Sequence, residues 1–271
     1  MSQLRVLVAT MHQKDFALFH KMNLQSDAVF ANQCGASSFS EDTIDGYRVK
    51  MISTDTVGVG MNRNIALLAA DADILLFADD DTVYYDGYRK EVLKAFEQTP
   101  DADLIAFGMR YARNGEVCLE KSLPLKRRHF WNCLSYGACL LAVRRSFFLK
   151  QHVFFSHLFG GGCKFNCGED SLYLLDCLRA GGKLYSHPYV LGETIRGAST
   201  WFTGYNEKFF YDKGVWIAAA FPKTKHLMKL YFFMRFRKRS EIPWKTQLHF
   251  MNSGVRNYSK CISFSETNDA H

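Results

Sequence analysis

The stretch "ILLFADDD", residues 74–81, constrains the fold of this chain more than any other. Its apolar residues run together without alternating, which suits a short strand covered on both faces rather than one with a wet side. Such a strand belongs inside a sheet flanked by helices, and this one ends on three consecutive aspartates, Asp79, Asp80 and Asp81. Like charges this close repel, and a buried carboxylate without a partner is costly. The strand end therefore asks for a cation.

The neighbouring sequence supplies the sheet. "LRVLVAT" (4–10), "DAVFANQ" (27–33), "YRVKMIS" (47–53) and "ADLIAFGMRY" (102–111) read as strands. Helices are expected over 15–22, after the glycines of "GVGMNRNIALLAADAD", and over "GYRKEVLKAFEQ". This alternation predicts an α/β domain with a mostly parallel central sheet, whose ligands bind at the carboxyl ends of the strands. "ATMHQ", "ANQCG" and "ADDDT" all fall there. Farther on, "GACLLAVRR" (137–145) reads as a strand, and "FGGGCKFNCGED" (159–170) as a glycine-rich loop opening a helix that stops near Gly181. From about Asn206 the chain reads as helical and basic. The predicted organisation is a domain over 1–205, with a nucleotide-binding half (1–110) and an acceptor-binding half (111–205), followed by a helical basic extension over 206–271.

Bulk properties narrow the class. The 271 residues are 48% hydrophobic, and no apolar run reaches the length of a membrane span. The N-terminus lacks the long apolar region of a leader peptide, so a cytoplasmic protein is expected. The eight cysteines show no C-x-x-C pair and fit reduced thiols. A net charge of +7 suggests an acidic partner: nucleotide, nucleic acid or anionic lipid. Carboxylates clustered at the ligand face argue against a nucleic-acid backbone there.

Hard carboxylate oxygens suit Mg2+ or Mn2+, which commonly complete their shells with substrate phosphates. The plainer reading of the triplet is an acidic cap on the next helix. Glu169 and Asp170, at a helix start behind a glycine-rich approach, are either ordinary helix caps or a carboxylate pair able to take a proton from an attacking hydroxyl.

The order "LVATMHQKDF", "VFANQCG", "GVGMNRNIALLAADADILLFADDD" and "GEDSLYLLDCLRAGGKLYSHP" resembles the GT-A glycosyltransferases of family 2. The resemblance spans residues 4–195 and implies a GT-A (Rossmann-like) fold. It implies an inverting, metal-dependent transfer from a UDP-sugar to a saccharide or lipid-linked saccharide, in a setting such as bacterial capsule or O-antigen-type polysaccharide synthesis. Thr10 and His12 would line the uridine pocket, Asn32 would read the base edge, and Arg63 would lie against base or phosphates or pair with a nearby acid. Asp79 would hold ribose and share the ion with Asp81, Asp80 being the alternative ligand. Asp170 would be the general base and Glu169 would orient acceptor or sugar. Lys164, Trp201 and Phe202 are candidates for the acceptor side, and His187 for the metal shell. The family's second strand commonly ends in paired aspartates, where this chain has Asn32 and Gln33.

"KTKHLMKLYFFMRFRKR" (223–239) carries seven Lys/Arg and no acid, with Leu227, Leu230, Tyr231 and Met234 at helical spacing. The segment reads as a helix that either lies on an anionic membrane surface, on the inner face of the plasma membrane, or packs its apolar side on the catalytic domain. A homo-oligomer formed through it is a third alternative. Two other functions compete with glycosyl transfer. A sugar nucleotidyltransferase would carry a glycine-rich loop after the first strand, where this chain has "TMHQKDF". A non-catalytic binder of nucleotides or anionic surfaces would use the positive charge alone.

Overall fold

A computed structural model describes residues 2–113, 116–166, 168–195 and 204–262. The chain divides into two units, one of residues 1–163 and 169–199, the other of residues 164–168 and 200–271.

The first unit is built on a sheet. β1 (Leu4–Met11) is followed by a single helical turn, α1 (Leu18–Lys21), then β2 (Asp27–Gln33), β3 (Ser38–Ile44) and β4 (Tyr47–Thr54). α2 (Val59–Ala69) leads into β5 (Ile74–Asp79), β6 (Thr82–Tyr84), α3 (Tyr88–Gln98) and β7 (Leu104–Arg113). β8 (Glu116–Lys121), β9 (Lys126–Arg128), β10 (Leu141–Arg144), α4 (Arg145–Gln151), α5 (Glu169–Arg179) and β11 (Leu184–Ile195) complete it.

The strand order is β3-β4-β2-β1-β5-β10-β7-β11-β6, with β8 on β7 and β9 on β11. β4, β2, β1 and β5 run parallel, as the apolar runs predict. β10 then inserts antiparallel between β5 and β7, making the sheet mixed. Residues 74–78 are buried throughout, so "ILLFA" is covered on both faces.

Differences from the sequence reading are local. The helix expected over 15–22 shrinks to α1. The glycine/serine-rich stretch after β2 turns directly into β3, an edge strand whose side chains are largely exposed and whose acids discourage further pairing. The strand expected over 137–145 begins with a 3-10 turn, Ala138–Leu140, and only then becomes β10.

Parallel register brings the ligand-facing positions together. Ala9 lies opposite Asp79, and Thr10 opposite Asn32, at the carboxyl edge of the sheet. Arg5 is fully buried at the other edge, paired with Asp27 at 2.7 Å and with Asp71.

The second unit contains α6 (Glu207–Ala220), α7 (Lys225–Phe236), a 3-10 turn at Arg237–Arg239 and α8 (Trp244–Ile262). Asn206 caps α6, its side-chain oxygen accepting from the Phe209 amide at 2.9 Å. α6 and α8 approach closely enough that a Cβ on Gly214 would stand 2.2 Å from the Met251 carbonyl, and one on Gly254 2.2 Å from that of Tyr211. The 164–168 segment is pinned to α6: the Asn166 amide donates to Asp212, and Trp216 donates its indole N–H to the Gly168 carbonyl. Among the described residues no helix is long and apolar enough to cross a membrane.

Candidate active site

Three polar residues in the first turns of α2 organise the carboxyl edge of the sheet. Asn62, Arg63 and Asn64 are each about 4% exposed or less. Three such neighbours on a helix cannot share one face, so each needs its own buried partners. Asn62 donates to the Thr10 carbonyl at the end of β1. Asn64 both accepts from and donates to the backbone of Phe155, pairing with that residue as a neighbouring strand would. Two glycines make room for α2. A Cβ on Gly60 would meet the Ser156 carbonyl at 2.4 Å, and Gly58 adopts φ +116°, where a side chain is strained.

Arg63 is the hub. One terminal nitrogen of its guanidinium donates to Asp79 at 2.9 Å, and the other to Asp170 at 2.8 Å and Glu169 at 3.2 Å. Its plane rests over the Phe155 ring, which stacks on Tyr173 with centroids 4.0 Å apart and meets Phe77 edge-on. Burial alone would lower the Arg63 pKa, but Asp170, Asp79 and Glu169 outweigh it and raise it above its ordinary value. Arg63 is a permanent cation. It joins the acids at the end of β5 to those at the start of α5, about ninety residues apart in the sequence.

Asp170 lies in the first turn of α5, where the helix dipole favours an anion. It also accepts from the Ala138 amide, in the 3-10 turn before β10. Burial pushes its carboxyl up to about 7; Arg63 opposes this, while Glu169 and Asp79 add to it. Gly137 and Cys139 line the same carboxylate, and burial keeps Cys139 a neutral thiol. Glu169 leans against Gly160: a Cβ there would fall 2.8 Å from the Glu169 carboxyl carbon, and φ is +108°. The glycine-rich loop makes room for Glu169.

Asp80 and Asp81 form the turn between β5 and β6. Asp80 accepts from the Thr10 hydroxyl at 2.7 Å. Three carboxylates, Asp79, Glu169 and Asp170, share the Arg63 guanidinium, and Asp80 and Asp81 follow Asp79 in the turn, an excess of negative charge that fits a divalent cation. Among the described residues no three His, Cys, Asp or Glu side chains converge as a ready-made metal site. An ion held by Asp79 and Asp81 would complete its shell with ligand oxygens, as Mg2+ and Mn2+ commonly do.

Of the other residues expected at the site, some have their contacts elsewhere. Asn32, expected to read a base edge, is fully buried and its amide is consumed internally. It donates to the Gln13 carbonyl and Ser53 hydroxyl and accepts from the Gln13 amide, fixing the loop after β1. Arg63, placed by the resemblance against base or phosphates, takes instead the acid pairing that was its alternative. His12 is exposed with φ +58°. His187 packs against Phe107 and accepts from the Tyr189 amide, and burial lowers its pKa, as for a packed side chain. Lys164 is exposed in the second unit, over the Phe165 ring. Trp201 and Phe202 lie outside the described residues. Sequence reasoning missed Asn62, Asn64 and Phe155. The signal was two asparagines flanking an arginine on a helix that needs an apolar face.

Comparison with known proteins agrees with this architecture. The family profile described as Glycosyl transferase family 2 matches residues 35–155, a span that includes Arg63 and the three aspartates but ends before Glu169. No curated protein sequence matches the chain. The structure of S. aureus TarS 1-349 in complex with UDP-GlcNAc aligns with a TM-score of 0.64 at 14% identity, covering 96% of this chain and 82% of that one. TarS 1-349 in complex with UDP aligns at 0.61 and 14% identity, covering 94% and 89%. The profile match over residues 35–155 and the fold shared with TarS make this chain similar to the GT-A glycosyltransferases of family 2.

Proposed function

We propose that the chain transfers a sugar from a UDP-sugar to a hydroxyl group of a saccharide or lipid-linked saccharide, inverting the anomeric centre, with Asp170 as general base. The observation that carries this reading is the Arg63 hub. One buried cation holds the proposed base and a proposed donor-side carboxylate on opposite ends of a single guanidinium. UDP-sugars are the donors to test first, because TarS, with the same fold, is described in complex with UDP-GlcNAc and with UDP.

In the proposed reaction the acceptor oxygen bonds to the sugar C1 as the bond from C1 to the diphosphate oxygen breaks. The acceptor proton passes to Asp170, and the electron pair leaves with UDP. A carboxyl with a pKa of about 7 is a better base than an ordinary aspartate and is still substantially ionised at neutrality. Glu169, fixed by Arg63 and seated against Gly160, orients the sugar or acceptor. Asp79 and Asp81 would hold Mn2+ or Mg2+, which supplies positive charge to the departing diphosphate. Asp79 accepts from Arg63 through Oδ1, so Arg63 would orient the carboxylate that is to hold the ion. Thr10 orients Asp80 beside them, and Asn32 acts as a positioning residue through the Gln13 loop. Synthesis of a bacterial surface polysaccharide is the setting that suits this chemistry.

The test is thermal stabilisation by UDP, GDP, CMP and dTDP, each with and without Mn2+, on wild type and Asp81→Ala, followed by a UDP-sugar hydrolysis screen. A nucleotide at one hundred times its Kd adds about 2.7 kcal/mol. The proposal expects metal-dependent stabilisation by UDP that Asp81→Ala loses. It also expects Asp170→Asn to bind UDP without turning over donor. Stabilisation by no nucleotide, or full turnover in Asp170→Asn, would overturn it.

A further inference from the structure

The second unit presents an apolar surface that its own packing does not use. α7 turns Met228, Phe232 and Phe233 into the unit. Phe232 and Phe236 close around the Lys213 ammonium together with Phe209 and Trp216, whose centroid lies 4.6 Å from it. On a helix of about 100° per residue, Leu227, Leu230, Tyr231 and Met234 fall on the opposite side. These four are 68%, 55%, 52% and 52% exposed. The stripe expected to pack on the protein or lie on a membrane is therefore the face turned outward. Trp244, at the start of α8, is 55% exposed as well.

The 223–239 segment that carries this stripe is basic, and the first acid after it is Glu241. Lys223, Arg235, Arg237, Lys238 and Arg239 are exposed around or just beyond α7, and the 223–239 segment contains no acid. Arg235 donates to the Tyr231 hydroxyl, which holds that cation beside the apolar ridge, while Arg239 donates to the Tyr205 hydroxyl and lies over the Phe236 ring. A ridge of large apolar side chains, framed by lysine and arginine on a helix too polar to span a bilayer, suits a helix lying in the plane of an anionic lipid surface. A second copy of the same face fits poorly, because pairing would bring two wholly basic segments together without counter-charge.

We propose that α7 and the 3-10 turn after it dock this protein on an anionic lipid surface. Leu227, Leu230, Tyr231 and Met234 enter the interface, and Arg235, Arg237, Lys238 and Arg239 meet the headgroups. This docking does not depend on the sugar-transfer reading, and its test reads no enzymatic activity.

The experiment is flotation of the full chain with vesicles of phosphatidylcholine alone and with one-third phosphatidylglycerol, at low and high salt. Association with the anionic vesicles only, weakened by salt, is the expected result. At about fivefold per basic residue removed, Arg237→Gln/Lys238→Gln/Arg239→Gln should reduce partitioning on the order of a hundredfold. Leu230→Ser/Met234→Ser should reduce it by about tenfold or more, with an unchanged circular dichroism spectrum, since both side chains already face outward. No association with anionic vesicles, or full association of the serine variant, would overturn the proposal. So would a concentration-dependent dimer, seen by sedimentation without lipid and abolished by the serine substitutions, because a second copy would then cover the face.

Discussion

Replacing the proposed base should make this protein more stable, and only above a particular pH. Asp170 has its carboxyl pushed up from 3.8 to about 7 in the folded chain, chiefly by burial. A raised carboxyl binds its proton more tightly when folded than when unfolded. Its contribution to stability is therefore fully present below about pH 4 and is lost progressively as pH rises to about 7. Each pH unit across that window costs about 1.4 kcal/mol, so the ionised carboxylate costs at most about 4 kcal/mol at pH 8. The side chain keeps 27% of its surface exposed, which brings the expected cost to roughly 2–4 kcal/mol.

Asp170→Asn removes that cost while keeping the size of the side chain and an oxygen for the Ala138 amide and for Arg63. The variant should gain roughly 5–10 °C in Tm at pH 8, shrinking to near zero at pH 4, while losing transfer. Differential scanning calorimetry across pH 4–9 measures both the gain and its window. A gain independent of pH, or a variant less stable than wild type at pH 8, would refute the idea that this carboxylate is held at a desolvation penalty. Stability given up at a reacting group is what an active site requires.

Three further outcomes follow from the same geometry. The rate of transfer under kcat/KM conditions should fall as pH drops through about 7, because the base must be ionised; a profile flat from pH 5 to 8 would exclude Asp170. Arg63→Met leaves three carboxylates without their shared partner and should cost about 3–5 kcal/mol in a urea titration, with turnover lost as well. Gly160→Ala places a Cβ against Glu169 and Val59 at a φ of +108°, so it should cost about 1–3 kcal/mol and slow turnover more than it weakens UDP binding.

The strands around the candidate site were readable because their pattern is local. An unbroken apolar run such as "ILLFA" has only a doubly covered strand to become, and its three aspartates announce a charged edge wherever that strand lies. The carboxylate pair after the glycine-rich loop was readable for a similar reason, since acids and glycines at a helix start imply close approach. The edge strand β3 was missed because its polar residues pair with β4 through backbone groups that side-chain patterning does not report. The inserted β10 makes the sheet mixed, and nothing in "LLAV" states the direction in which it will run.

Sequence by itself determined the α/β class, the acidic strand end and the basic amphipathic tail, because each is a property of a few consecutive residues. Only tertiary structure decided what the polar groups do. Asn32 stands at a strand end open to any partner on paper, yet the fold surrounds it with Gln13 and Ser53 and leaves its amide committed. Arg63 became the shared partner of Asp79, Glu169 and Asp170 because α2 is pinned at Thr10 and Phe155, which aims one guanidinium between two distant segments. The outward turn of Leu227, Leu230, Tyr231 and Met234 was decided in the same way. Helical spacing defines a stripe, but which side of a helix meets protein is fixed by the aromatic cluster around Lys213 that claims the other face.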